Sequence, residues 1–186
     1  MRTVSFSMGI SLDGYIAGPD GTFAWSMPDE EVFRFATEEV RGLGVHLLGR
    51  RLYETMTFWD TVDHAALSDW EREFAVLWTS LPKVVFSTSL TSVLDGYQLA
   101  SGGLAQEIER WRATPGQGGV GIGGATLAAE ASALDLVDEY WLRVYPVVVG
   151  GGTPFFPRAE RRADLDLVDT RTFDSGVLHL HYRVRR

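Results

Sequence analysis

The chain has 186 residues, 45% of them hydrophobic and 23% charged, with a formal net charge of −8 and no cysteine. That length fits one domain, 1–186, able to bury about 70% of the surface its unfolded chain exposes. The missing cysteines exclude disulfides and thiolate chemistry. An acidic balance without a basic stripe argues against a nucleic-acid partner, and no apolar run approaches the roughly 20 residues of a membrane helix.

The N-terminus enters a strand pattern at once, Thr3 to Met8, with no secretory leader ahead of it, so a cytoplasmic protein is expected. A long Gly/Pro/aromatic loop runs on to Met27. Asp29 to Arg41 reads as a helix, with Ser26 as its N-cap and Asp29 completing a near capping box. Val45 to Leu48 is a strand, Arg51 to Thr57 a short helix, and Leu67 to Ser80 an amphipathic helix stopped by Leu81-Pro82. Lys83 to Ser87 and Tyr97 to Ala100 read as strands, Leu104 to Trp111 as a helix. Strand Val120 to Ile122, helix Ala125 to Leu134 and strand Val137 to Tyr145 follow. A Gly/Pro-rich loop, Pro146 to Pro157, leads to strands Asp164 to Phe173 and Val177 to Val184, a hairpin around Asp174-Ser175-Gly176. Strands alternating with helices, closed by antiparallel strands, predict an α/β sandwich on a mixed sheet.

The run Gly119-Val120-Gly121-Ile122-Gly123-Gly124-Ala125-Thr126-Leu127 is the strongest chemical signal. A short buried strand feeds a helix through two glycines. Glycine lets a ligand approach the backbone, and the free N–H groups of a helix start suit phosphate. The letters also satisfy G-x-G-x-x-G, but a turn precedes the first glycine where the Rossmann fingerprint needs a strand. A tight turn with no ligand accounts for the glycines equally well. A second strand–turn–helix junction is Gly49-Arg50-Arg51 after Val45 to Leu48. Two arginines at a helix N-terminus oppose the macrodipole, which makes sense if an anion sits there; solvated arginines are the plainer alternative. The hydroxyls of Ser87 and Thr88 at a strand end are a third candidate.

Acids come next. Asp29 shares a helix face with Val32, Phe33, Ala36 and Val40, so a partly buried carboxylate with a raised pKa is one expectation and a helix-start acid the other. Glu30 and Arg34 read as a surface pair. Asp13 in Asp13-Gly14 is a turn former or an acid beside a substrate. Tyr15 and Trp25 can stack on a flat heterocycle or simply pack their loop. Gly150-Gly151-Gly152 can cradle a phosphate or ribose, or only connect. His179 and His181 share a strand face without an evident third metal ligand, so no metal is expected.

Five motifs occur in order: Ser11-Leu12-Asp13-Gly14-Tyr15-Ile16-Ala17, Leu48-Gly49-Arg50-Arg51-Leu52-Tyr53-Glu54, Val85-Phe86-Ser87, Gly121-Ile122-Gly123-Gly124, and Val144-Tyr145-Pro146 with Gly150-Gly151-Gly152. Together they resemble the dihydrofolate-reductase-like superfamily. The likeness is to its branch containing the reductase domain of the bifunctional riboflavin-biosynthesis deaminase–reductase. The zinc deaminase half needs cysteine ligands this chain lacks, so the expectation is a stand-alone reductase-type domain.

The resemblance implies a three-layer sandwich with a mostly parallel central sheet. It implies NADPH along Gly49, Arg50, Arg51, Ser87, Thr88, Gly123, Gly124, Ala125, Thr126 and Leu127, with Arg51 and the two hydroxyls near a 2′-phosphate. It places substrate beside Asp13, Tyr15, Trp25, Pro146, Gly150 and Gly151, with Asp29 and Asp13 as candidate catalytic acids. The reading ranked first is an NADPH-dependent reductase of a small pyrimidine-like heterocycle, of the ribosylaminopyrimidine type ahead of dihydrofolate or pterin reduction. A nucleotide-binding protein without turnover is the alternative. Tyr140, Trp141, Leu142, Val144 and Tyr145 look apolar on both strand faces, and with the closing strands they predict a two-fold homodimer.

Overall fold

The computed structural model describes residues 1–156 and 162–186. Along the chain run β1 (Val4–Ser11), β2 (Tyr15–Ala17), α1 (Glu30–Arg41), β3 (Leu43–Gly49), α2 (Arg50–Met56), α3 (Phe58–Thr61) and α4 (Asp69–Ser80). They are followed by β4 (Lys83–Phe86), β5 (Tyr97–Leu99), α5 (Leu104–Ala113), β6 (Gly119–Gly123) and α6 (Ala125–Ala133). β7 (Glu139–Tyr145), β8 (Thr153–Pro154), β9 (Leu165–Thr172) and β10 (Leu178–Val184) complete the fold. The elements predicted from periodicity all appear, with ends shifted by a few residues. The loop predicted to end at Pro157 finishes outside the described residues.

Eight strands form one sheet in the order β5-β4-β3-β6-β1-β7-β10-β9. β5 through β7 are parallel to their neighbours; β10 runs antiparallel to both β7 and β9. Alternation sorts the side chains into two layers. Leu47, Val84, Ile122 and Phe6 point to the face covered by α5 and α6, where Leu104, Ile108, Leu127 and Ala128 meet them. Leu48 and Val85 point to the other face, against Tyr53, Phe74 and Trp78 of α2 and α4. Truncating a fully buried side chain such as Leu47 costs about 2–5 kcal/mol, so these two layers fix how α2 and α6 meet the sheet.

Three sequence expectations need correction. Ser26 does not cap α1. It sits in a one-turn 3-10 helix, Ala24–Ser26, and its hydroxyl donates to Phe23 O. Asp29 is itself the N-cap, its carboxylate accepting the Val32 N–H at 2.9 Å. An Asp at this position satisfies an orphan donor directly, so no upstream serine is needed. A capping box does form at α4, between Ser68 and Glu71.

The segment read as one loop up to Met27 contains the end of β1 and all of β2. β2 pairs with β8 from the glycine-rich loop in a second, two-stranded sheet. Three-residue and two-residue strands carry too little alternation to be recognised from sequence.

The third correction concerns β7, whose faces are not both apolar. Tyr140 and Leu142 enter the α5/α6-side core. The alternate residues meet charge: Arg143 pairs with Glu39 of α1 and donates to Ser7 Oγ, and Glu139 lies 2.9 Å from His181 and 3.0 Å from Arg183.

Candidate functional site

The carboxyl ends of the parallel strands divide into two neighbouring regions. At the first, β3 and β6 stop side by side and each turns straight into a helix. Gly49 is the N-cap of α2 and Gly124 the N-cap of α6, and neither helix start is closed by a side-chain hydrogen bond. Gly124 has φ +100°, a conformation open chiefly to glycine. A Cβ built on it would meet nothing nearer than Gly49 Cα and N, both at 3.9 Å. Two uncapped helix starts therefore lie in close proximity at their glycines, and orphan N–H groups at such ends can face an anion.

Gly123 does something different. A Cβ there would lie 2.5 Å from Leu52 Cδ2 and 2.9 Å from Leu48 Cδ2. Its glycine lets α2 press onto β6, so the glycine run serves packing at Gly123 and the backbone turn at Gly124. His46 lies under the same turn, and burial pushes its imidazole down to about 4. It is neutral at physiological pH and supplies no charge to the turn above it.

The flanking residues are placed as follows. Arg50 is half-exposed and lies 3.8 Å from Glu54, while Arg51 is exposed and makes no ion pair among the described residues. Thr88 is exposed. Ser87 Oγ accepts the N–H groups of Ser89 and Leu90 and so shapes the turn after β4. Ala125 and Thr126 open α6; Leu127 is buried in the core, leaving its backbone N–H as the group it offers to a ligand.

The second region lies past the ends of β1 and β7. β1 runs on to Ser11, opposite Tyr145, while its pairing with β6 ends at Phe6↔Ile122. Here two stretches distant in sequence are joined. The Asp13 carboxylate accepts the N–H of Gly150 at 2.8 Å and that of Val149 at 3.2 Å. Leu12 N donates to Val147 O, and Phe155 N to Gly14 O. Gly152, at φ +115°, lies so close to Ala17 O and Gly18 that no side chain fits. Ser11 is fully buried; its hydroxyl bonds Asp13 and accepts Tyr15 N–H at 3.0 Å. The Ser11 bond first, then those from Gly150 and Val149, hold the Asp13 carboxyl below its usual range. Asp13 is thus an ionised latch for the glycine loop, and of the Gly150-Gly151-Gly152 run expected to cradle a phosphate or ribose, the Gly150 amide is already taken by it.

Tyr15, half-buried, pairs with Pro154 in the small sheet. Trp25 packs edge-on to Tyr145 at 6.1 Å, within a cluster containing Val32, Phe173 and Val177. Pro146 and Gly150 are exposed and Gly151 partly so. Asp29 is exposed rather than turned into the apolar face.

Sequence reasoning missed Tyr145 as a polar group. Its body is buried, its ring packs over Gly9, and its hydroxyl makes no hydrogen bond among the described residues. Burial pushes the phenol up; nearby Asp29 reinforces this while Arg143 opposes it. It therefore stays protonated at neutral pH. The only signal available was a tyrosine ending a strand just before Pro146.

A cavity of about 690 Å³ opens at the opposite, amino-terminal ends of the strands, between Arg2, Glu39, Arg112, Gln117 and Glu139. It contains none of the predicted site residues. Ligands of open α/β sheets bind beyond the carboxyl ends of the strands, where the helix N-termini point, so the glycine turns carry the functional reading instead.

Comparison with known proteins identifies the family. The chain is 30% identical over 182 residues to the uncharacterized protein YyaP of Bacillus subtilis (strain 168), covering 97% of this chain and 94% of that one. It is 28% identical over 184 residues to YwjB of the same organism. Among solved structures, a candidate riboflavin biosynthesis protein from Shewanella sp. PV-4 superposes with a TM-score of 0.77 at 24% identity over the full length of both chains. Acinetobacter baumannii RibD gives 0.72 at 16% identity, with this chain spanning 58% of its length. These structural likenesses establish the dihydrofolate-reductase-like sandwich. The model of the RibD C-terminal domain matches residues 2–114 and 117–179, and the chain belongs to that family.

Proposed function

We propose that this protein is an NADPH-dependent reductase of a small pyrimidine-like heterocycle. The observation that carries the reading is the meeting of two uncapped glycine helix starts, Gly49 and Gly124, at the carboxyl ends of adjacent strands. Family membership supports it, as does the neighbour from Thermotoga maritima named as a deaminase/5-amino-6-(5-phosphoribosylamino)uracil reductase, which superposes with a TM-score of 0.67 at 16% identity.

The residues present fit such a cofactor. The amides of Gly124 to Leu127 and of Gly49 to Arg51 would hold its phosphates, and Arg51, which makes no ion pair among the described residues, would take a 2′-phosphate together with Ser87 and Thr88. When bound, NADPH supplies hydride. The protein's own part is to orient substrate past the ends of β1 and β7 and to manage a proton. Asp13, held ionised, orients the loop; Asp29 and the Tyr145 hydroxyl are the groups there that can hold or pass a proton.

Fluorescence titration with NADPH, followed by an oxidation screen over aminopyrimidine and pterin substrates, tests the reading. Tight binding with no turnover would favour a nucleotide-binding role. We place the protein in the cytoplasm; no helix among the described residues is long and apolar enough to cross a membrane. We also propose a two-fold homodimer through the C-terminal strands, where Leu167 is 55% and Leu178 39% exposed. Sedimentation at micromolar concentration should give a dimer mass, and a monomer mass would refute it.

A further inference from the structure

Two groups at the substrate end can supply a proton, Asp29 and Tyr145, and the packing around them separates the two. Tyr145 ends β7 opposite Ser11 of β1. β7 alternates, so Tyr145 joins Val32, Phe173 and Val177 on the α1 side, while Tyr140, Leu142 and Phe155 pack in the opposite layer. Its ring folds back across β1. A Cβ built on Gly9 would lie 3.0 Å from Tyr145 Cε2 and 3.7 Å from Cδ2, so the hydroxyl end of the ring is the part that overlies the strand. A glycine inside a strand weakens it and marks the close approach of another group; at Gly9 that group is this ring. β1 lies between β7 and β6, so the phenol reaches from β7 toward the strand that ends in Gly123 and the Gly124 turn.

Trp25 braces the ring edge-on at 6.1 Å, and the residue is only 6% exposed. The hydroxyl itself is not sealed in, and it makes no hydrogen bond among the described residues. A buried tyrosine ordinarily finds a partner for its O–H. Here the ring is fixed by packing and the hydroxyl is left for a partner from outside. Asp29 differs on each count. It is exposed, and its carboxylate accepts the Val32 N–H at 2.9 Å as the cap of α1. A carboxylate accepts hydrogen bonds and gives none.

We infer that Tyr145 is the proton donor of the reduction, its hydroxyl touching the substrate nitrogen or oxygen beside the carbon that is reduced. The inference rests on the reductase reading and deepens it. Reduction of a C=N or C=O bond adds hydride to carbon and leaves the π electron pair on nitrogen or oxygen. That atom takes the Tyr145 proton, and the phenolate regains one from water at its open tip. The substrate gains two electrons, and NADPH is oxidised to NADP⁺. Burial pushes the phenol up, Arg143 opposes this and Asp29 adds to it, so the oxygen holds its proton at neutral pH. Arg143, fixed by Glu39 and Ser7, then supplies positive charge near the phenolate as it forms.

The test compares one hydroxyl with one carboxylate. Tyr145→Phe keeps the buried ring and removes only an unpaired group, so its urea midpoint should match that of the unaltered chain. With 5-amino-6-(5-phosphoribosylamino)uracil and NADPH, kcat should fall ~100-fold or more, the scale of a lost general acid, while KM and the NADPH Kd change little. Asp29→Asn, which still caps α1, should lower kcat by less than about tenfold. A loss in Asp29→Asn equal to or greater than that in Tyr145→Phe would overturn the inference. A second measurement needs no turnover. The isotope-labelled Cζ of Tyr145, assigned by its disappearance in Tyr145→Phe, is followed by NMR as 5,6-diaminouracil is added to the full chain with NADPH. A saturable shift is expected. NADPH bound with the Tyr145 signal unmoved would strike the donor role alone. NADPH that fails to bind would strike the reductase reading and the donor role with it.

Discussion

The two regions at the carboxyl ends of the strands are built on different principles. At β3 and β6, the proposed binding groups come from backbone geometry: two glycine turns and two helix starts, each local to a few consecutive residues. Past β1 and β7 they come from contacts between residues far apart in sequence, such as Asp13 with Gly150. The first region is set by residue type and the second by tertiary pairing. A recurring phosphate can be met by fixed amides, whereas selectivity for a particular ring needs side chains that differ from one protein to the next.

The largest effect should come from breaking the tertiary region. Gly152→Val forces a side chain into the Ala17 and Gly18 backbone at positive φ. It is expected to destabilise the fold by about 3 kcal/mol or more, read as a lower midpoint in urea unfolding. Gly150→Ala, where a Cβ has open space, should cost distinctly less.

Next is Gly124→Val. A Cβ there would lie 3.9 Å from Gly49 Cα and N, so valine's methyls would stand at the second helix start, and the branched side chain is disfavoured at φ +100°. NADPH affinity should fall by more than about 100-fold, roughly 3 kcal/mol, while circular dichroism shows the fold retained. Unchanged affinity in a folded variant would remove this turn from the site.

Arg51→Ala should weaken NADPH binding by about 1.5–3 kcal/mol, the scale of a charge-assisted hydrogen bond. Arg50→Ala should cost less, because Arg50 already has Glu54 within 3.8 Å. Equal losses at the two positions would blur the assignment of Arg51 to the 2′-phosphate.

The smallest effect is the pH response of the Asp13 latch. Its carboxyl is depressed in the folded state, so the stabilisation it gives the glycine loop is fully present above the ordinary value of 3.8. That stabilisation is lost as the pH falls through the still lower folded value. Hydrogen exchange at the Gly150 amide, compared between the unaltered chain and Asp13→Asn, should converge only in acid. Exchange independent of pH in both would show that the latch does not hold the loop.

The same contrast explains what was legible in the sequence. The long strands and helices followed from periodicity, and Gly124 followed from glycine placed between a strand and a helix. The second role, at Gly123, did not: nothing local announces that Leu52 will lie across that position. The Ser26 cap failed because Asp29 was itself a better cap already in place. Tyr145 counted as one more apolar residue, since only the fold shows its ring buried on Gly9 with its hydroxyl unpaired among the described residues. The pairing of β2 with β8 was invisible because short strands gain their stability from partners rather than from their own pattern.

The central claim is that NADPH is held by backbone amides at two converging helix starts. Amide resonances followed by NMR during NADPH titration test it most directly. Saturable shifts are expected at Gly49 to Arg51 and at Gly124 to Leu127, with little change around the amino-end cavity near Arg2 and Glu139. Shifts confined to that cavity, or none anywhere at millimolar NADPH, would contradict the account.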